Sequence, residues 1–168
     1  VTAHHVLTLL EDSEPRMWSA FDQAVALAGE HDARLTLAKT TDPGLLMRWF
    51  APAALQSMCV SADDLDFRRL ASHKLALAAE FVPSRIPVTT VVLGFNTTRA
   101  VSELVRGGGY DVVVATGVLL NRHRRLRREL VAGGLRLVVA PRQPDPALSL
   151  HEGSVEHAPF GAISEGGR

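Results

Sequence analysis

Two short stretches of this chain carry side chains with chemistry to offer. The first is Thr116-Gly117-Val118-Leu119-Leu120-Asn121-Arg122-His123-Arg124-Arg125-Leu126-Arg127-Arg128, directly after the apolar run Val112-Val113-Val114-Ala115. In an open α/β sheet, ligands bind just beyond the strands' carboxyl ends, and a helix start there turns backbone N–H groups toward an anion. The second is Glu11-Asp12, directly after the run His5 to Leu10, where a carboxylate can hold a ribose hydroxyl or cap the next helix. Position points to a phosphate-bearing ligand, but composition does not. Glycines let N–H groups converge on oxygens with no Cβ in the way, and the first stretch has one glycine, Gly117. Leu119 and Leu120 stand where such a loop would wrap and are expected to obstruct it.

The arginines admit two readings. From Arg122 to Arg136 there are six arginines and one acid, Glu129. Arg122, Arg124 and Arg125 fall in the first turn of the expected helix, where a cation is disfavoured by roughly 0.3–1 kcal/mol. They form a solvated face, pairing with acids such as Asp145, Glu152, Glu156 and Glu165, or they replace the missing glycine cradle and hold an anion. Two acids at Glu11 and Asp12 would repel a triphosphate unless a metal intervened. Gly94 either lets a ligand approach the third strand or turns the chain before Asn96. A nucleic-acid partner is not expected, because no aromatics interleave the arginines and formal net charge is zero.

Other chemistry is sparse. The histidines are scattered over His4, His5, His31, His73, His123, His151 and His157, with no metal-ligand spacing. The one cysteine, Cys59, excludes an intrachain disulfide and reads as a buried thiol in a reducing compartment. Ser13 reads as a helix cap, and no nucleophile elbow, Walker motif or paired catalytic carboxylates are visible. No enzyme and no metal site are expected. The cluster Leu45-Leu46-Met47-Arg48-Trp49-Phe50 reads as core, as a lid over the sheet edge, or as a partner-facing patch.

The elements that must position these residues follow from periodicity. Strands are expected at His5 to Leu10, Arg34 to Thr40, Val88 to Leu93, Val112 to Ala115 and Leu135 to Ala140. Lys39 falls near the end of the second. A helix starts at Ser13 or Glu14, with Pro15 suited to its first turn. A mostly helical stretch from Leu45 to Phe81 restarts at Asp63. A helix capped by Asn96 or Thr97 stops at Gly107-Gly108-Gly109, and a last long helix runs from Leu119 or Asn121 to Gly133-Gly134. Apolar strands joined by helices imply a mostly parallel sheet covered on both faces.

At 168 residues, 46% hydrophobic and 21% charged, the chain fits one domain with a sizeable core. The expected division is a body at 1–141 and a tail at 142–168, Pro-rich and then Gly/Ser-rich, serving as a linker or surface-wrapping arm. No run of 18 apolar residues and no signal peptide are seen, so neither a membrane span nor a membrane partner is expected, and the cytoplasm is the expected location.

The body resembles the universal stress protein family. The matching segments are His5 to Pro15, His31 to Leu37, Val91 to Gly94, Tyr110 to Gly117 and Leu135 to Pro141. The resemblance implies an open, doubly wound, five-stranded parallel sheet in a three-layer α/β/α arrangement of the nucleotide-binding, adenine-hydrolase-like kind. Some family members bind ATP or AMP, and others have lost the site. Binders hold the nucleotide with an Asp after the first strand, where Glu11 stands, and carry Gly-x-x-Gly, a nine-residue gap and Gly-Ser/Thr after the fourth. Gly117 matches the opening of that motif, Leu120 lies where the next glycine would fall, and the stretch to the fifth strand is short. The resemblance thus implies a divergent member lacking the glycine-rich ATP motif. Its expected role is non-enzymatic, through dimerisation and an unidentified protein partner. The edge strand 135–140 and the tail would pair the two copies. The alternative is an ATP or AMP sensor whose ligand set is Glu11, Asp12, Lys39, Gly94, Gly117, Arg124 and Arg125.

Overall fold

A computed structural model describes residues 3–11, 14–40, 62–94 and 96–141. Asp12, Ser13, the Leu45–Phe50 cluster, Cys59, His151, His157 and the tail from residue 142 lie outside the described residues. The described order is β1 (His5–Leu10), α1 (Glu14–His31), β2 (Arg34–Thr40), α2 (Ala62–Glu80), β3 (Val88–Leu93), α3 (Thr97–Gly108), β4 (Val112–Thr116), α4 (Gly117–Arg122), α5 (Arg124–Ala132) and β5 (Arg136–Ala140). The strands form one five-stranded sheet in the order β3-β2-β1-β4-β5. Every pairing is parallel. This is the doubly wound sheet expected from the sequence.

β1 occupies the middle, and its composition explains why. Val6 and Leu10 pack into a core with α1 and α2, and Leu7 and Leu9 into a second core with α3, α4 and α5. A strand apolar on both faces is stable only where helices cover both faces. Thr8 is buried on the α1 side, where its hydroxyl donates to the Ala20 carbonyl at 3.4 Å. β1 pairs with β2 on one side and β4 on the other. The connections leave β1 in one direction and return through β4 on the opposite side. The junction between the carboxyl ends of β1 and β4 is therefore the topological switch point of the sheet.

The opposite end of that junction is stapled shut. The Asp111 carboxylate accepts backbone N–H groups from His4 at 2.7 Å and His5 at 3.0 Å, tying the start of β1 to the start of β4. These donors hold the Asp111 carboxyl below its ordinary range, led by the His4 N–H. The His5 ring spans the same region. Its Nδ1 donates to the Gly108 carbonyl at 3.1 Å, its Nε2 meets the Thr36 hydroxyl at 2.9 Å, and it packs at a tilt of 41° against Tyr110 with ring centroids 4.2 Å apart. Gly109, at φ +60°, closes α3 in the left-handed conformation that favours glycine.

Several element boundaries differ from expectation: β4 runs one residue further, to Thr116, and the helix after it opens at Gly117 instead of Leu119 or Asn121. α2 begins at Ala62, so Asp63 lies inside its first turn instead of capping it. β5 begins at Arg136, one residue late. The expected long last helix is two short ones, because the chain breaks at His123, whose φ of −112° and ψ of 61° are not helical.

Candidate functional site

The switch point is built by Glu11, Lys39 and Thr116. Glu11 follows β1 directly, Thr116 is the last residue of β4, and Lys39 sits on β2 opposite Leu10. All three are buried, at 7%, 5% and 2% exposure respectively for Glu11, Thr116 and Lys39. The Thr116 hydroxyl donates to Glu11 Oε2, so a hydrogen bond crosses the crevice between the two strand ends. The same Thr116 oxygen accepts the Leu119 N–H at 3.2 Å and thereby caps α4. Beneath them, Lys39 Nζ donates to the Glu11 backbone carbonyl at 3.1 Å. The chain Leu119 N–H to Thr116 to Glu11 engages one amide, one hydroxyl and one carboxylate oxygen at the crevice.

The glycine cradle is missing for a different reason from the one expected. Leu119 and Leu120 do not project into the crevice. Both are buried in the core, at 4% and 2% exposure, and they pin α4 to the sheet. β4 passes directly into a helix with no loop between them. Thr116 is both the last strand residue and the cap of that helix. The Leu119 amide, one of the donors at the start of α4, is already taken by the cap.

The remaining expected ligands divide between two places. Gly117 lies beside the crevice at the start of α4, where an added Cβ would meet Val139 Cγ1 at an ordinary 3.6 Å, so nothing there requires a glycine. Gly94 follows β3 at the sheet's carboxyl end, with no atom of the described residues within 4 Å of an added Cβ. Asp12 lies outside the described residues. Arg124 and Arg125 share no hydrogen bond or ion pair with Glu11 among the described residues. Nor do the two act together. Arg125 Nε pairs with Glu129 Oε1 at 2.9 Å. The Ser102 hydroxyl donates to the other Glu129 oxygen. These two contacts, the Ser102 hydroxyl first, hold the Glu129 carboxyl below its ordinary range.

Arg124 instead lines a shallow groove of about 710 Å³ with Asn121, Arg127, Arg128, Val131 and Ala132. Residues 124, 127, 128 and 131 fall at i, i+3, i+4 and i+7, which is one face of α5. The expected crowding of cations at a helix start is real for Arg124 and Arg125, which open α5. Arg122 instead ends α4, where a cation is favourable.

Sequence reasoning missed Thr116. Its position, a threonine between an apolar strand and a residue able to open a helix, is an N-cap signal in its own right. It also missed the Arg124/Arg127/Arg128 stripe by grouping arginines by adjacency instead of helical spacing. Among the described residues, no group of three His, Cys, Asp or Glu side chains is placed to hold a metal ion. No described helix is long and apolar enough to cross a membrane.

No family model and no curated protein matches the chain. Solved structures do match. A protein of the universal stress protein family from Burkholderia pseudomallei aligns with a TM-score of 0.58 at 19% identity, covering 82% of this chain and 96% of that one. A universal stress protein solved in complex with cAMP aligns with a TM-score of 0.57 at 16% identity, covering 85% of this chain and 100% of that one. The universal stress protein UspA from Lactobacillus plantarum gives a TM-score of 0.54 at 15% identity, with 84% and 99% covered. The chain therefore has the parallel α/β fold of the universal stress proteins.

Proposed function

We propose that this chain is a non-enzymatic protein of the universal stress type whose nucleotide crevice is closed. It acts through self-association and binding to a protein partner. The observation that carries the reading is the Thr116–Glu11 hydrogen bond across the switch point. A ligand entering there would have to break that bond. It would also have to displace the Leu119 N–H from its cap on Thr116.

Self-association is supported by the last strand. β5 is an edge of the sheet, and Val139 on it is 53% exposed. Val118 on neighbouring α4 is exposed as well. An apolar edge with unpaired backbone groups is a template for pairing with a second copy. In this reading two copies pair through residues 135–140.

A second reading, a nucleotide sensor, draws on the structural relative that holds cAMP. It needs arginines at the crevice, whereas Arg125 is engaged by Glu129 and Arg124 lines the α5 groove. Calorimetric titration of the full chain with ATP, AMP and ATP plus Mg²⁺ separates the readings. The closed crevice gives no saturable heat with any of them. Saturable binding that Glu11→Ala weakens would establish the sensor.

A further inference from the structure

We infer that the groove on α5 is a docking site for the chain's own acidic C-terminal segment, residues 142–168, and that this contact covers the helix in the free protein. The inference goes beyond the proposed function and does not depend on whether the crevice binds a nucleotide.

The groove needs a countercharge. Arg124, Arg127 and Arg128 lie on one helix face, exposed, and none has an ion-pair partner among the described residues. Like charges at i, i+3 and i+4 repel one another along a helix face. Glu129, the one acid nearby, is directed to Arg125 and Ser102 on another face. The same groove carries Val131, which is 59% exposed. Guanidinium groups beside exposed aliphatic surface suit an acidic peptide with apolar anchors better than a bare phosphate chain.

The C-terminal segment has that chemistry. Between Gln143 and Gly167 it contains Asp145, Glu152, Glu156 and Glu165 and no Lys or Arg. Glu152, Val155 and Glu156 put two carboxylates and an aliphatic group within one short stretch. The segment leaves on the α1 side of the sheet and must pass the β5 edge to reach α5 on the other face. The Ser19 hydroxyl donates to the Pro141 carbonyl and fixes where the chain leaves the sheet. That exit lies at the carboxyl end of β5, where Val139 also borders the start of α4. At about 3.3 Å per residue, the stretch from Pro141 to Glu152 spans up to about 36 Å. A tethered segment of this length holds its acids at millimolar effective concentration, enough for weak ion pairs to persist.

Paramagnetic relaxation in the full chain tests the contact. The protein carries Cys59→Ser and Ser154→Cys with a nitroxide on the new thiol, and the amide signals of Arg128, Val131 and Ala132 are read against the reduced label. Docking predicts selective loss of those signals. The loss is reversed by raising NaCl to about 1 M, where the Debye length is about 3 Å. It is also reversed by the triple change Arg124→Glu, Arg127→Glu and Arg128→Glu, and returns when Glu152→Arg and Glu156→Arg are added. The salt step needs no charge-reversed variant. Unchanged signals at low salt overturn the inference, as does loss that persists in the charge-reversed groove. So does loss seen only when isotope-labelled and spin-labelled chains are mixed, which would make the occupant a second copy's segment.

Discussion

Replacing Thr116 by valine keeps the shape of the side chain and removes the hydroxyl on which the crevice closure depends. Two bonds go together. Loss of the cap on the Leu119 N–H costs about 1 kcal/mol. Loss of the donor to the buried Glu11 carboxylate costs about 1–3 kcal/mol, because the acceptor is left without its partner away from water. The sum, about 2–4 kcal/mol, corresponds to a fall in Tm of roughly 5–15 °C for a chain of this size. Thr116→Ser keeps both bonds and removes one methyl group, so it costs no more than about 1 kcal/mol. Urea denaturation of wild type, both variants, Glu11→Gln and the Glu11→Gln/Thr116→Val pair gives the coupling directly. Glu11→Gln should be much less harmful, or even stabilising, in the Thr116→Val background, since the donor is already gone and the change then relieves an unpartnered charge. Two outcomes refute the reasoning: Thr116→Val no worse than Thr116→Ser, or double-variant effects that add within about 0.5 kcal/mol.

Three further outcomes follow from the geometry. Gly107→Ala, in the last turn of α3 with no atom of the described residues within 4 Å of the added Cβ, should be neutral or stabilising by up to about 1 kcal/mol. Gly109→Ala, at φ +60°, should cost about 1 kcal/mol, and thermal melts of the two compare them. Asp111→Asn should destabilise the protein near neutral pH. Because the folded Asp111 carboxyl is held below its ordinary value, its contribution is fully present above the unfolded pKa of about 3.9 and is lost as pH falls through the lower folded value. The gap between Asp111→Asn and wild type in denaturant midpoint should therefore close as pH drops below about 3.9, and a gap independent of pH would remove the His4/His5 staple from the account. On the proposed pairing through residues 135–140, wild type has the molar mass of a dimer by light scattering, and Val139→Arg, which places a charge on the exposed face of the edge strand, has that of a monomer with unchanged circular dichroism.

The parts of the fold that were legible are those governed by local patterning. His5–Leu10, Arg34–Thr40 and Val88–Leu93 coincide with the strands expected from their apolar and β-branched runs. Asn96 caps α3 as its type suggests, accepting the Arg99 N–H at 3.2 Å. The break at His123 was not legible, because Leu119, Leu120, Leu126 and Leu130 are spaced to fit one continuous amphipathic helix. Nothing in that spacing marks where the backbone departs from helical angles. The region of the candidate site was readable from strand ends, and Glu11 and Lys39 do meet there. Their partner was not, since the Thr116–Glu11 bond joins residues 105 apart in sequence and depends on β1 and β4 being neighbours. Position along the chain makes Leu119 and Leu120 an obstruction in the crevice, yet helix phase turns them into the core. One-dimensional adjacency likewise pairs Arg124 with Arg125, where three-dimensional phase pairs Arg124 with Arg127 and Arg128.

Closure of the crevice is tested most directly by amide spectra of the full-length chain, recorded while ATP with Mg²⁺ is added to saturating millimolar levels. The account predicts that the signals of Thr116, Gly117, Val118 and Leu119 stay where they are. A saturable shift confined to those amides and Glu11 would show the backbone opening around a phosphate and would contradict it.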